Sequence, residues 1–158
     1  MRYLSYIILF ALLLTVGACK QTKNETTENT TEMQTNETTF VNATDEQLSG
    51  IRKALDLYTE AALKGDSKIA EPAFASTATI SFTQDGELVS LPIQALFDYY
   101  NTECPQPASY EIKTCDVEDD AAIVRIDSQF GETRFADMFT LVKDGEDWKI
   151  ISKIYHVK

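Results

Sequence analysis

The stretch Ala136-Asp-Met-Phe-Thr-Leu-Val-Lys-Asp-Gly-Glu-Asp-Trp-Lys-Ile-Ile-Ser-Lys-Ile-Tyr-His-Val-Lys158 decides the fold. Two β-rich runs flank Asp144-Gly145, the strongest short-range hairpin signal, because Gly takes positive φ without steric cost and Asp tolerates it. The same stretch holds the single Trp, Trp148, and the single His, His156. A two-residue Asp144-Gly145 turn sets Leu141 opposite Trp148, Phe139 opposite Ile150, Asp137 opposite Ser152 and Phe135 opposite Ile154. His156 continues that face, which is apolar apart from Asp137, Ser152 and His156 itself. A three-residue loop with a bulge instead shifts every partner by one and sets Asp137 opposite Lys153, since side chains alternate faces with a period of two. Glu146-Asp147 before the Trp leaves both registers open.

Working outward, runs at 110–117, 121–128 and 134–143 lead into 148–157, separated by the turn chemistry of Glu118-Asp119-Asp120 and Gln129-Phe-Gly-Glu132. Upstream, 78–83 and 87–90 flank Gln84-Asp85-Gly86, a further hairpin. Pro92 suits the first turn of a helix whose buried face is Ile93, Leu96, Phe97 and Tyr100. Near the start of the globular part, Thr44 with Gln47 forms a capping box, and Leu48, Ile51, Leu55, Tyr58 and Ala62 recur at helical spacing. Gly65 is placed to end that helix, and Asp66 to cap a shorter one from 67 to about 74, limited by Pro72. Helices, a hairpin, a helix and a four-stranded meander, without β-α-β alternation, give an α+β fold with an antiparallel sheet.

The N-terminal region reads differently. Residues 1–18 hold one Arg, no acid, the apolar run from Tyr6 to Leu14 and small residues before Cys19, as in a secretory signal peptide. Val16-Gly-Ala-Cys19 resembles the bacterial lipobox, which implies acylation of Cys19 and attachment to the cell envelope; the bland alternative is a soluble exported protein. Lys20 in place of an acid favours the outer membrane, with the leaflet open. Residues 19–40, rich in Thr, Asn, Glu and Gln, cannot bury enough apolar surface to offset the entropy of ordering and read as a disordered tether. Residues 41–158 form the domain. A net charge of −11 repels nucleic acid, so the membrane contact rests on the acyl chains.

Cys104 and Cys115 either form a disulfide, contributing roughly 3 kcal/mol if unstrained, or remain buried thiols. Three Cys without C-x-x-C spacing and one His make no zinc site. No Gly-rich phosphate loop or nucleophile elbow calls for a cofactor.

The element order and the ending Phe-Ala-Asp-Met-Phe-Thr-Leu-Val-Lys-Asp-Gly-x-x-Trp-Lys-Ile-Ile-Ser-Lys-Ile-Tyr-His resemble the NTF2-like superfamily, within it the lumazine-binding-like or SnoaL-like group. The resemblance covers about 44–156, with one extra residue between Gly145 and Trp148. It implies a curved sheet closed by helices into a cone opening on a pocket, often with a homodimer through the outer sheet face. It implies no single activity, because the fold hosts isomerases, dehydratases, cyclases and members without a known reaction.

Asp137 is the sharpest candidate. Burial in an apolar cone disfavours a charged carboxyl, which suits a general base or a neutral donor; the alternative is a carboxylate satisfied by protein groups. His156 either pairs with Asp137 at the pocket mouth or is a solvated strand end. Tyr58, Phe82, Phe97 and Tyr100 supply aromatic surface that is core or ligand pocket, and Arg125, Ser152 and Lys153 are further candidates to line it. Binding of a small, partly apolar molecule or a protein partner without turnover is the first expectation. An isomerase, dehydratase or cyclase using Asp137 with His156 or a Tyr is the second, and a structural envelope protein the third.

Overall fold

The computed structural model describes residues 39–158; the expected signal peptide, Cys19 and all but the end of the tether lie outside the described residues. In chain order the elements are β1 (Phe40–Asn42), α1 (Asp45–Lys64), α2 (Ser67–Ala70), a 3-10 turn (Glu71–Ala73), β2 (Phe74–Gln84), β3 (Glu87–Pro92), α3 (Gln94–Glu103), β4 (Ala108–Glu118), β5 (Ala121–Phe130), β6 (Thr133–Asp144) and β7 (Asp147–Val157). The strands form one sheet in the order β1-β4-β5-β6-β7-β2-β3, curved and open, with the helices packed against it. The α+β cone is as expected, but the sheet is mixed: β1 runs parallel to β4 and β2 parallel to β7. Short β1, beginning one residue inside the expected tether, has no sequence signal of its own, since its partner is 74 residues away.

Local sequence sets the helices. Gln47 N–H donates to Thr44 Oγ1 at 3.2 Å and Thr44 N–H to Gln47 Oε1 at 2.9 Å, so two N-terminal amides that lack helical partners are satisfied reciprocally. Ile51, Leu55, Tyr58 and Ala62 then form the buried face of α1. Gly65, at φ +68°, closes the helix with its N–H on Ala61 O, and Asp66 Oδ1 accepts from Lys68 N–H to start α2. The left-handed residue lets the chain reverse beside the Cys104-Pro105 backbone, where a Cβ on Gly65 would meet Cys104 C at 3.0 Å. At the other end of α1, Gly50 lies under the Trp148 indole, and a Cβ there would come within 2.7 Å of Cδ1. The indole closes that end of the core.

The register of the last hairpin differs from both expected ones. The turn is Gly145-Glu146, so Asp144 faces Asp147, Lys143 faces Trp148 and Leu141 faces Ile150. A bulge between Thr140 and Leu141 then shifts the pairing, giving Thr140 opposite Ser152, Phe139 opposite Lys153, Asp137 opposite Tyr155 and Ala136 opposite His156. Moving the turn by one residue changes every partner by two and keeps the faces; the bulge changes partners by one and exchanges them. Beyond it, Lys153 and Tyr155 point into the cone, while Ser152, Ile154 and His156 point out.

Cys104 and Cys115 are free thiols, so the disulfide considered above is not formed. Cys115 faces the core from the middle of β4 and Cys104 follows the end of α3. Burial pushes both thiols up.

Candidate functional site

Asp137 lies at the centre of β6, between Ile126 of β5 and Tyr155 of β7, and is fully buried. Strand alternation brings three donors to it. Lys153, one diagonal step along β7, donates from Nζ to Oδ1 at 2.7 Å. Ser128, one diagonal step along β5, donates from Oγ to Oδ2 at 2.5 Å, and Tyr58 donates from α1 to the same oxygen at 3.3 Å. An ionised carboxylate only accepts, so three donors meet both of its oxygens.

The Lys153 ammonium has a second set of neighbours. Its Nζ lies 4.2 Å from the Tyr155 ring centroid, 5.7 Å from that of Tyr58, and 6.0 Å from those of Phe135 and Phe139. Four aromatic faces around one cation offset part of its lost hydration. Burial pushes the Lys153 ammonium down from its ordinary value, against the opposing pull of Asp137. Burial also raises the Tyr58 and Tyr100 phenols well above the usual range, reinforced by nearby acidic groups. Tyr155 is pushed up to about 12, first by burial and then by Asp137.

Around this floor the rings divide into two groups. Tyr58 packs edge-on against Phe74, Tyr100, Phe130 and Phe139, and Phe97 packs edge-on against Phe74. Tyr100 O–H donates to the Tyr58 carbonyl at 2.9 Å. These rings fill the interior. Phe82, Phe135, Tyr155 and Tyr99 are half-buried instead, with Phe82 and Tyr155 centroids 4.9 Å apart and Phe135 and Tyr155 5.7 Å apart. Of these, Phe82, Tyr155 and Phe135 pack in series and form an aromatic mouth beside Lys153.

Of the residues singled out from the sequence, Asp137, Lys153 and Tyr58 are brought together, with Phe82 at the rim. Phe97 and Tyr100 are packed in the core. Arg125 lies on the outer face, opposite Met138 and adjacent in sequence to inward Ile126. Ser152 pairs with Thr140 and Thr79 on that outer face, and His156 is exposed beside Ala136, so neither completes a pair with Asp137. The bulge is the physical reason. Ser128 is not among the residues singled out from the sequence, although the alternation Ala122, Val124, Ile126, Ser128, Phe130 carries it inward; Tyr155 falls on the outward face only in the register with a two-residue turn.

Two depressions lie away from Asp137: one of about 510 Å³ along α1, including Arg52, Lys53 and Asp56, and one of about 230 Å³ beside Trp148 and Gly50. Among the described residues no group of three or more His, Cys, Asp or Glu is placed to hold a metal ion.

The family described as "Putative lumazine-binding" matches residues 46–156. The chain is 34% identical over 105 residues to the aldolase FrzH of Cladobotryum sp., covering 63% of this chain and 82% of that protein. An NTF2-like protein of unknown function from Shewanella baltica OS155 shares 38% identity at a TM-score of 0.68, covering 74% of this chain and 98% of that one. An NTF2-like protein of unknown function from Methylobacillus flagellatus KT gives 27% and 0.67, covering 77% and 99%. A ketosteroid isomerase-like protein from Erwinia carotovora atroseptica, at 16% identity, TM-score 0.56 and coverage of 72% and 98%, shares the fold alone. The chain belongs to the lumazine-binding-like family of NTF2-like proteins.

Proposed function

We propose that the domain binds a small, partly apolar molecule at the aromatic mouth of its cone, without turnover. The observation that carries this is the half-exposed set Phe82, Phe135 and Tyr155 above a floor whose charges are already paired. Rings at the mouth offer apolar area and a polar tip on Tyr155, while Asp137 has protein donors on both oxygens and needs no ligand to satisfy it. The test is a thermal-shift screen of the full chain with small ring compounds, followed by NMR mapping of the hits. A hit at 100 times its dissociation constant should add roughly 2.7 kcal/mol and perturb Phe82, Phe135 and Tyr155. Hits that map elsewhere would sink the reading.

A second reading is proton transfer to or from a carbonyl compound by Asp137, Lys153 and Tyr58. It is favoured by the resemblance to an aldolase and by the hydrogen-bonded contact of these three titratable side chains. His156 plays no part in it. Exchange of the α-hydrogens of cyclohexanone in deuterated water, faster with the protein and lost in Asp137→Asn, is the expected result; no acceleration removes the reading.

The cellular address is part of the same proposal: acylation of Cys19 holds the domain at the outer membrane on the tether. Mass spectrometry of membrane fractions showing an unmodified Cys19 would refute it. Apolar residues exposed on the outer sheet face, Ile123, Met138, Ile151 and Ile154, support a homodimer through that face. Sedimentation that gives a monomer at micromolar concentration removes it.

A further inference from the structure

We propose that Lys153 is a carbonyl-reactive amine, and that the molecule taken at the mouth is an aldehyde or ketone held on Nζ as an iminium ion. This rests on the mouth-binding reading and names the chemical class of its ligand.

Three observations carry it. Lys153 is the one buried lysine among the described residues. Of the four rings around Nζ, Tyr58 and Phe139 are buried beneath it and Phe135 and Tyr155 are half-exposed, so the way in from solvent passes those two. The Tyr155 ring is the nearest of the four, is half-exposed and lies against Phe82, so it is the side chain whose rotation would open a path to the nitrogen. Burial also weakens the hold of Nζ on its proton, whereas the Asp137 carboxylate 2.7 Å away can take that proton and return it. Such a lysine differs from a surface one, which is kept as an ammonium by water.

The step balances without an added reactant. The ammonium gives a proton to Asp137, the freed lone pair attacks the carbonyl carbon, and the carbonyl oxygen takes the proton back to give a carbinolamine. The carbinolamine nitrogen then gives a second proton, again through Asp137, to that oxygen, which leaves as water while the freed nitrogen lone pair forms the C=N bond. Ammonium and carbonyl become iminium and water, the single positive charge is retained, and Asp137 ends as its carboxylate counter-ion. Four aromatic faces suit a delocalised cation as well as they suit the ammonium.

The experiment is reductive trapping on the full chain: benzaldehyde with sodium cyanoborohydride at neutral pH, then peptide mapping. Lys153 should be the most heavily labelled lysine, carrying more than exposed Lys64, and Lys153→Arg should reduce total incorporation to the surface background. Label spread over Lys64, Lys68 and Lys143 with none on Lys153 overturns the proposal. If Lys153→Arg fails to fold, the wild-type map alone decides. Benzaldehyde that perturbs Tyr155 by NMR without reductant but leaves Lys153 unlabelled overturns the iminium while leaving the mouth as a binding site.

Discussion

Lys153 Nζ stands 2.7 Å from Asp137 Oδ1, with the lysine side chain 4% and the aspartate 0% exposed. Neither charge belongs inside a cone alone, because each loses several kcal/mol of hydration there. Removing one partner therefore costs more than removing both. Asp137→Asn or Lys153→Met alone should destabilise by about 3–5 kcal/mol. The double variant should recover most of that, since Asn keeps an acceptor for Ser128 and Tyr58. Urea denaturation of the four proteins measures the coupling, and additive losses would falsify the pairing.

Gly50→Ala tests how α1 meets β7. The added Cβ would lie 2.7 Å from Trp148 Cδ1, so the indole must shift. Overpacking of this kind costs about 1–3 kcal/mol. The expected outcome is a lower urea midpoint with red-shifted emission from Trp148. Unchanged emission would mean that the helix moves instead.

Raising the pH should weaken the fold above about pH 10. All five described tyrosines, Tyr58, Tyr99, Tyr100, Tyr110 and Tyr155, have phenols raised by burial above their ordinary value of 10.0. The folded state then holds protons that the unfolded chain releases, so their stabilisation is complete below 10 and lost as pH rises through the folded values. Lys153 has the opposite sign, since its penalty is removed as pH rises toward 10.5, but one amine opposes five phenols. Phenolate absorbance should lag until the chain unfolds. Smooth ionisation near pH 10 with full native circular dichroism would contradict this.

At the mouth, Tyr155→Ala should weaken binding of ring compounds about tenfold, or roughly 1.4 kcal/mol, with the fold retained. His156→Ala should leave both affinity and stability within about 0.5 kcal/mol of wild type, because it points to solvent beside Ala136. Titration calorimetry on the two variants separates the inward and outward faces of β7.

Sequence alone determined what rests on local chemistry. The Thr44 capping box, the apolar stripe of α1, the stop at Gly65, the turn residues and the order of helices and strands each depend on residues a few positions apart. Trp148 and Phe139 were recognisable as core for the same reason, and Asp137 stood out as a lone acid in an apolar alternation. Which residues accompany Asp137 was decided by tertiary structure. The bulge at Thr140/Leu141 falls where the parallel pairing of β7 with β2 also shifts, between Phe74 and Thr79, so β7 is adjusted to both neighbours at once. Neither β2 nor the curvature of the open sheet is encoded in the hairpin's own residues. A single-residue slip there moves Lys153 and Tyr155 into the cone and Ser152 and His156 out of it, because successive side chains on a strand point to opposite faces.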